Sequence, residues 1–296
     1  MTTEKPAAPS HVGVLGGGRM GAGIAHAFLL AGARVRVVER DAASAEAASE
    51  RIVESIGRSV ERDSALDASE ILGRLECGAD YAAFGACDLV VEAVPEDRAL
   101  KEASLANVEA AMPETAVLAS NTSSISIDDL AAGRGKPERF LGLHFFNPVP
   151  ASRLVEIVQG ATTDPAIVEA ARDWVRALGK TPIVVRDSPG FASSRLGVML
   201  GLEAIRMLEE GVASAEDIDA AMTLGYRHPM GPLRTTDIVG LDVRLGIAEE
   251  LAATLGPRFE PPPLLRTMVA DGRLGRKSGE GFYTWTSAPA ENGNGR

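Results

Sequence analysis

The hydrophobic positions in the first two thirds of the chain form short apolar runs separated by longer stretches with helical periodicity. Residues 12–15 are apolar and end in three glycines, residues 20–30 follow a helical pattern, and residues 34–38 alternate before becoming apolar. This order predicts a strand, a glycine turn, a helix and a second strand, which together make a βαβ unit.

The same alternation continues after the βαβ unit. Further strand-like runs occupy residues 88–91, 116–119, 141–145, 154–158 and 183–185. Helical patterns separate most of them, as at residues 100–112 and 166–178. Strands that alternate with helices in this way predict an α/β domain with a mostly parallel sheet and helices on both faces.

The pattern changes after the Asp-Ser-Pro-Gly segment at residues 187–190. Residues 192–210 are typical of one long helix that stops at Gly211. Ser214 then begins a second helix as its N-cap, and this helix runs to about Leu224. We therefore expect an α/β domain at residues 1–188, an all-helical C-terminal domain at 189–285 and a flexible Gly/Asn/Ala-rich tail at 286–296.

Composition and charge narrow the functional classes. The net charge of −11 disfavours nucleic acid as a partner, because phosphate neutralisation needs a basic surface. No apolar run approaches the roughly 20 residues of a membrane span, and the first ten residues do not predict a secretory signal. The two cysteines, Cys77 and Cys87, form no CxxC motif, so we expect no metal site and a reducing, cytoplasmic compartment.

The three consecutive glycines after the first strand begin a G-x-G-x-x-G pattern, whose glycines are Gly16, Gly18 and Gly21. Gly16 makes the tight turn, Gly18 lets the backbone approach a pyrophosphate, and Gly21 lets the helix pack on the strand. The N-terminus of the helix, which includes Met20, offers free N–H groups to phosphates. The sequence therefore predicts a Rossmann-type dinucleotide-binding domain, although a glycine turn without a nucleotide is the alternative.

An acidic residue at the end of the second strand indicates which dinucleotide binds. Glu39 lies 18 positions after Gly21, where a carboxylate binds the ribose hydroxyls of the adenosine. A carboxylate repels a 2′-phosphate, so NAD is favoured over NADP. Arg34 and Arg40 lie close in sequence, so the preference is not absolute.

One of the four histidines lies where catalysis is expected. His11, His26 and His228 are most simply structural. His144 comes where a strand runs into a proline-stopped turn, and ligands of open α/β sheets bind beyond the carboxyl ends of strands. A neutral imidazole, with an ordinary pKa of about 6.5, is suited to accept the proton of an alcohol that is being oxidised.

Two further groups are candidates for the same site. Glu156 is a charged residue in an apolar run, so it either pairs with His144 or lies at the surface of an edge strand. Residues 121–124 (Asn-Thr-Ser-Ser) follow another apolar run, and their polar groups are suited to bond the substrate oxygen and the nicotinamide half of the cofactor. The alternative is that one of them caps a helix beginning near Ser126.

Six motifs occur in an order that resembles a known family. They are residues 16–24 (GGGRMGAGI), 121–124 (NTSS), 144–150 (HFFNPVP), 189–191 (PGF), 229–232 (PMGP) and 278–283 (SGEGFY). Together they resemble the L-3-hydroxyacyl-CoA dehydrogenases, including the bacterial 3-hydroxybutyryl-CoA type, over roughly residues 11 to 285. The resemblance implies NAD-dependent oxidation of a short-chain (S)-3-hydroxyacyl-CoA to the 3-ketoacyl-CoA.

The resemblance also implies roles for individual residues. His144 and Glu156 would form the catalytic pair, and Ser123 would contact the substrate. The second domain would contribute to substrate binding and form a homodimer. The cofactor contacts implied by the resemblance are Glu39, Glu96, Lys101, Asn121 and Lys277.

The chain departs from the family at one position near the reacting carbon. The family usually has an asparagine where this chain has Ser194. Serine still donates a hydrogen bond but is shorter, so a different substrate or a water would fill the gap. A related dehydrogenase of a free hydroxy or sugar acid is therefore an alternative, as is a non-catalytic NAD-binding protein.

A basic stripe on the helix after the second strand is a candidate contact for coenzyme A. Arg51, Ser55, Arg58 and Arg62 fall on one helix face. In the resembled family the positions of Ser55 and Arg62 contact coenzyme A. The alternative is a solvated face on which Glu54 pairs with Arg58 at i+4.

Overall fold

The computed structural model describes residues 7–285, and the tail expected at residues 286–296 lies outside the described residues. The chain divides into two compact units between Ser188 and Pro189. We call them the N-terminal unit and the helical unit.

The N-terminal unit is built on one eight-stranded sheet with the order β3-β2-β1-β4-β5-β6-β7-β8. Its strands are β1 His11–Leu15, β2 Arg34–Val38, β3 Leu75–Gly78, β4 Leu89–Glu92, β5 Val117–Ser120, β6 Phe140–Phe145, β7 Leu154–Gln159 and β8 Thr181–Arg186. Among these eight strands, all within the described residues, the β6–β7 pair is antiparallel and the other neighbouring pairs are parallel. The predicted mostly parallel sheet is therefore confirmed, and its strand order reverses between β1 and β4, where such folds bind ligands.

Among residues 7–188, six α-helices complete the N-terminal unit: α1 Arg19–Leu30, α2 Ala42–Arg62, α3 Ala68–Leu72, α4 Arg98–Ala111, α5 Ile127–Ala131 and α6 Pro165–Ala177. Aspartates fix several of their starts. Asp41, Asp97 and Asp164 each accept a backbone N–H of the first turn through the side chain. Since these N-caps satisfy otherwise unpaired donors, α4 begins two residues before the apolar periodicity that predicted it.

The central strands are buried on both faces, as expected for parallel strands covered by helices. All four residues of β4 and of β5 are buried. The edge strand β3 differs because its residues are only half-buried or exposed. It has no apolar run, and the sequence pattern did not predict it.

The described part of the helical unit, residues 189–285, contains five α-helices: α7 Ser193–Glu209, α8 Ala215–Ala220, α9 Pro232–Val239, α10 Leu241–Leu255 and α11 Pro263–Ala270. Ser214 caps α8 as expected, by accepting the N–H of Asp217. The expected helix to Leu224 is wrong in detail, because α8 ends at Ala220 and the chain continues as a π-helical turn at Ala221–Gly225. Within residues 7–285 no helix has both the length and the apolar character needed to cross a bilayer.

The segment after α11 is held to the helical unit by one buried carboxylate. Asp237, at the end of α9, accepts the backbone N–H groups of Phe282 and Tyr283 at 2.9 Å each. It also accepts the indole N–H of Trp285 at 2.7 Å. Asp237 is fully buried, and these charge-assisted bonds offset the cost of burying it.

Candidate active site

The glycine turn after β1 has the geometry that a dinucleotide requires. Gly16 has a φ of 88°, which is the left-handed region that favours glycine. A Cβ on Gly21 would clash with the carbonyl oxygen of Gly16, so only glycine allows α1 to pack this closely. At Gly18 a Cβ would meet nothing within 4 Å. The turn therefore leaves open space beside Gly18.

The beginning of α1 is also suited to hold a phosphate. Gly18 is its N-cap, and no side chain caps the first turn. Its free N–H groups and the positive end of the helix dipole are directed towards the open space beside Gly18, and half-buried Met20 lies in this turn. Because these residues fit a pyrophosphate, the turn fits NAD.

Glu39 directly follows β2, and its carboxylate binds the backbone of the glycine turn. Its Oε1 accepts the N–H of Gly17 at 2.7 Å, and its Oε2 accepts the N–H of Arg40 at 3.2 Å. The Arg40 side chain turns away to Asp41, with Nε 3.2 Å from Oδ2. Arg34 begins β2, and five residues of strand at about 3.3 Å each separate it from Glu39. In this structure Arg40 thus points to Asp41, and Arg34 lies at the opposite end of β2 from Glu39.

Glu96 organises the loop that follows β5. Its Oε1 accepts the hydroxyl of Thr122 at 2.6 Å and the N–H groups of Ser123 and Ser124 at 2.9 and 3.1 Å. The Ser123 hydroxyl lies 3.4 Å from the same oxygen. Burial alone raises the pKa of Glu96, but Lys101 and Thr122 outweigh burial and keep this pKa below its usual value. Glu96 is therefore an anion that shapes the Asn-Thr-Ser-Ser loop.

A buried ion pair between Lys101 and Glu92 lies next to Glu96. Lys101 has a side chain only 1% exposed, and its Nζ lies 2.7 Å from Oε1 of the fully buried Glu92. Nζ also donates to the Val94 carbonyl at 3.1 Å and lies 3.3 Å from Oε2 of Glu96. The three N–H groups of Lys101 thus face protein acceptors. Within the described residues Lys101 therefore contacts Glu92, Val94 and Glu96, and the cofactor contact expected of it stays a prediction.

Glu92 was not identified from the sequence. Besides Lys101, it accepts the N–H of Val94 at 2.7 Å and the hydroxyl of Ser120 at 2.6 Å. The sequence did contain a sign of its importance, because Glu92 is a charged residue at the end of the otherwise apolar strand β4. Glu156 is a comparable charged residue within β7. Both are buried carboxylates, and both have partners.

His144 and Glu156 meet across the antiparallel pair. They are directly opposite each other in the β6–β7 register, and Nδ1 of His144 lies 2.7 Å from Oε2 of Glu156. Glu156 is fully buried because β7 lies between β6 and β8, so it is not a surface residue of an edge strand. With the Nδ1 proton donated to Glu156, the neutral ring carries its lone pair on Nε2.

Two residues of the loop after β5 complete this edge of the sheet. Asn121 accepts the N–H of Phe145 through Oδ1 at 2.8 Å, which ties the end of β5 to the residue after His144. Thr122 accepts the N–H of Ile125 at 3.0 Å within the loop. The N-cap of α5 is Ser126, so none of residues 121–124 takes that role.

The four residues of the basic stripe on α2 differ in their contacts and exposure. Arg51 donates to the carbonyl of Gly17 at 3.3 Å, beside the glycine turn. Arg58 pairs with Glu54, as the alternative interpretation expected. Ser55 is half-buried and Arg62 is exposed at the last residue of α2.

The helical unit holds the two remaining candidates. Ser194 lies half-buried in the first turn of α7. Lys277 lies in a short 3₁₀ turn, Arg276–Ser278, and its Nζ is 2.6 Å from Oδ2 of Asp242.

Comparisons with known proteins agree with this geometry. Residues 11–188 match the family described as 3-hydroxyacyl-CoA dehydrogenase, NAD binding domain, and residues 190–285 match its C-terminal domain. The chain belongs to the 3-hydroxyacyl-CoA dehydrogenase family. The predictions of this family, of NAD as the cofactor and of an oxidoreductase are therefore confirmed.

Relatives cover nearly the whole chain. A 3-hydroxybutyryl-CoA dehydrogenase of Mycobacterium tuberculosis is 44% identical over 285 residues, which cover 93% of this chain and 98% of the relative. A probable 3-hydroxybutyryl-CoA dehydrogenase of Deinococcus radiodurans is 42% identical over 275 residues, covering 92% and 99%. The crystal structure of (S)-3-hydroxybutyryl-CoA dehydrogenase PaaH1 from Ralstonia eutropha is 38% identical, with a TM-score of 0.90 and coverage of 95% and 100%.

Proposed function

We propose that this 3-hydroxyacyl-CoA dehydrogenase uses His144 as the general base on short-chain (S)-3-hydroxyacyl-CoA substrates. The observation that carries the proposal is the His144–Glu156 hydrogen bond of 2.7 Å at the carboxyl end of β6. It directs the lone pair of the imidazole to Nε2, which accepts the proton of the substrate 3-hydroxyl. The buried carboxylate of Glu156 then stabilises the imidazolium.

The reaction balances with one proton and one hydride. The hydroxyl proton moves to Nε2 of His144, the C3–H bond breaks, and the carbonyl of the 3-ketoacyl-CoA forms. NAD, when bound, supplies the acceptor for the hydride. No further acid or metal is needed, because the electron pair of the broken O–H bond becomes the second bond of the carbonyl.

Residues at the strand ends are proposed to hold the cofactor. The glycine turn with Gly16, Gly18 and Gly21 receives the pyrophosphate, and Glu39 binds the adenosine ribose. Glu96 and Asn121 border the nicotinamide half, with Lys101 acting through Glu96. Lys277 is proposed as a cofactor contact on the resemblance alone.

Substrate contacts are proposed at four residues. Ser123 presents its hydroxyl in the loop that Glu96 shapes, and Ser194 takes the position where the family usually has asparagine. Ser55 and Arg62 are proposed to meet coenzyme A, supported by their place on α2. The short acyl chain is supported by the names of the relatives.

A homodimer in a reducing, cytoplasmic compartment is proposed as the working state. Most large hydrophobic side chains exposed within residues 7–285 belong to the helical unit, including Leu196, Leu224 (82% exposed) and Tyr226. Such exposure is typical of a protein interface. Cys77 and Cys87 are free thiols, which agrees with a reducing compartment.

The function is tested by following NADH oxidation with acetoacetyl-CoA and with free acetoacetate. We expect turnover with acetoacetyl-CoA and a much lower kcat/KM with free acetoacetate. Equal or better turnover of free acetoacetate would instead favour a dehydrogenase of free hydroxy acids. Sedimentation of the purified protein tests the dimer, and a monomer at micromolar concentration would contradict it.

A further inference from the structure

One buried carboxylate lies beside the start of the Asn-Thr-Ser-Ser loop. Glu92 is the last residue of β4, and in the sheet register it lies opposite Ser120, the last residue of β5. Both residues are fully buried. The loop begins at Asn121, whose backbone N–H donates to the carbonyl of Glu92 at 2.8 Å. Glu92 is therefore a direct neighbour of this loop without being part of it.

A short chain of hydrogen bonds links the side chain of Glu92 to the loop through Ser120. The Ser120 hydroxyl donates to Oε2 of Glu92 at 2.6 Å and accepts the backbone N–H of Thr122 at 3.2 Å. Because a hydroxyl carries one proton, donating it to Glu92 leaves the lone pairs of Oγ to accept from Thr122. The carboxylate of Glu92 thus orients the hydroxyl that holds the second residue of the loop.

A second chain runs from the other carboxylate oxygen through the lysine of α4. Oε1 of Glu92 lies 2.7 Å from Nζ of Lys101, and Nζ lies 3.3 Å from Oε2 of Glu96. Oε1 of Glu96 in turn accepts the backbone N–H of Ser123 at 2.9 Å. This chain therefore reaches the third residue of the loop.

Stability alone does not account for this arrangement. Burying Glu92 and Lys101 removes both charges from water, and replacing a buried ion pair by apolar residues of similar volume is often neutral or stabilising. Apolar side chains cannot supply the directed hydrogen bonds that end at Thr122 and Ser123. A fully bonded polar network of this kind fixes one arrangement of the groups that it joins.

The two chains act on the part of the loop where a small displacement matters most. Ser123 is the proposed substrate contact, and its hydroxyl lies 3.4 Å from Oε1 of Glu96, at the end of the second chain. Displacing a substrate-positioning group by about 1 Å can lower the rate about 100-fold. The backbone bond between Asn121 and Glu92 does not involve the carboxylate, so only the bonds to Thr122 and Ser123 depend on it.

We propose that Glu92 is a positioning residue of the dehydrogenase reaction. Its carboxylate holds Thr122 through Ser120, and it holds Ser123 through Lys101 and Glu96, so that the Ser123 hydroxyl meets the oxygen on C3 of the substrate. This inference rests on the proposed function of Ser123. It adds Glu92 and Ser120 to the residues on which the rate of hydride transfer depends, and both act through the loop.

The test is a single-turnover measurement in which enzyme-bound NADH is oxidised by saturating acetoacetyl-CoA. Its rate constant reports hydride transfer in folded enzyme, whereas unfolded enzyme lowers only the amplitude. Glu92→Gln keeps the shape of the side chain but removes the charge that faces Lys101, and we expect the rate constant to fall about 10-fold to 100-fold. The Kd of NADH should stay within about threefold of the wild-type value, because the glycine turn is unchanged. A wild-type rate constant, at any amplitude, would overturn the proposal.

Ser120→Ala is the second variant, because it breaks only the chain through Ser120 and removes no charge from the interior. We expect a rate constant about tenfold lower than that of the wild type. Ser104→Ala is the matched control, since Ser104 is a buried serine of α4 that belongs to neither chain. The control should keep the wild-type rate constant. Equal rate constants for the Ser120→Ala and Ser104→Ala enzymes would contradict the proposal.

A double-mutant cycle with Ser123→Ala shows whether Ser120 acts through Ser123. Because the effects of residues that act as one unit do not add, Ser120→Ala should change the rate constant of the Ser123→Ala enzyme by less than about twofold. If the full loss seen in the wild-type background recurs in the Ser123→Ala background, Ser120 acts elsewhere and the proposal is wrong.

The outcomes also separate this inference from the proposed function. If Ser123→Ala slows hydride transfer but Glu92→Gln and Ser120→Ala do not, the inference alone fails. If Ser123→Ala leaves the rate constant unchanged, the proposed substrate contact fails and the inference fails with it. If the wild type turns over no CoA substrate while NADH still binds, the proposed function as a whole is wrong.

Discussion

His144 and Glu156 are cross-strand neighbours in the antiparallel β6–β7 pair, and their side chains are 2.7 Å apart. Glu156 comes twelve positions after His144 in the chain. It lies opposite His144 because β7 runs antiparallel to β6. Both side chains are buried, so their interaction is little screened by water or salt. The fold therefore supplies a preorganised base and its counter-charge.

Replacing the base should remove most activity. His144→Gln is expected to lower kcat by about 100-fold to 10,000-fold, because a positioned general base contributes a factor in this range. NADH affinity, measured by fluorescence titration, should stay close to that of the wild type. His228→Gln is the control, because His228 is exposed in the helical unit and is expected to be structural. A His144→Gln enzyme within a few-fold of wild-type turnover would contradict the assignment.

Removing the counter-charge should slow the chemical step without affecting binding. Glu156→Gln keeps the shape of the side chain but leaves the imidazolium without its anion in a buried position. An opposite charge in contact with the imidazolium inside a protein is worth several kcal/mol, so kcat should fall on the order of 100-fold. KM for acetoacetyl-CoA should change little. If KM rises while kcat is unchanged, Glu156 acts in binding rather than on the base.

The predictable part of this molecule is the part where local pattern and chemistry coincide. The βαβ unit follows from apolar periodicity and glycines, and His144 stands out because it is a polar residue at the end of a strand. The sheet was predicted without β3, whose four residues lie at the edge and carry no apolar run. Strand pairing at an edge depends on tertiary context that a short segment does not encode.

The functional network was harder to predict because it depends on distances across the sheet. Glu92 and Lys101 are nine residues apart, and only the fold shows that they form a buried pair. The roles of Lys101 and Glu96 were therefore assigned only by resemblance, and the structure separates them. Glu96 shapes the loop after β5, and Lys101 holds Glu96 in place from the interior. The π-helical turn after α8 likewise has no signature in the apolar pattern.

The buried pair beneath the loop gives a stability prediction. Lys101→Met should lower the free energy of unfolding by about 3–5 kcal/mol, because it leaves the carboxylate of Glu92 buried without its cation. The double variant Glu92→Met with Lys101→Met should recover much of that loss, since no unpaired charge remains. Urea denaturation measures both. The control is Lys136→Met, because Lys136 pairs with Glu114 at the surface and should cost less than about 1 kcal/mol.

Cofactor selectivity should depend on the carboxylate at the end of β2. Glu39→Gln removes the negative charge that repels a 2′-phosphate and retains a polar group beside Gly17. The ratio of kcat/KM with NADPH to that with NADH should rise by about tenfold or more, equivalent to about 1.4 kcal/mol. Glu54→Gln, an exposed carboxylate of α2, should leave the ratio unchanged. An unchanged ratio in Glu39→Gln would show that another group selects NAD.

His26 should make stability depend on pH in the mildly acidic range. It is buried on α1, and burial, with smaller effects of Lys180 and Arg58, lowers its pKa from 6.5 to about 4. As the pH falls, the unfolded chain therefore binds a proton at this histidine before the folded chain does. The stability that the neutral ring provides is present above pH 6.5 and is lost as the pH falls towards 4. A shift of this size corresponds to about 3 kcal/mol.

The dependence is measured by urea unfolding of the wild type and of His26→Gln between pH 4.5 and 7. Gln retains a polar group for Ser59, whose Oγ lies 2.9 Å from Nε2 of His26, but does not titrate. The wild type should lose more stability than the variant over this range, because only the wild type must keep an imidazole neutral against protonation. His11→Gln should behave like the wild type, since His11 is half-exposed and its side chain remains accessible to water. Parallel curves for the wild type and His26→Gln would show that other groups dominate the acid limb.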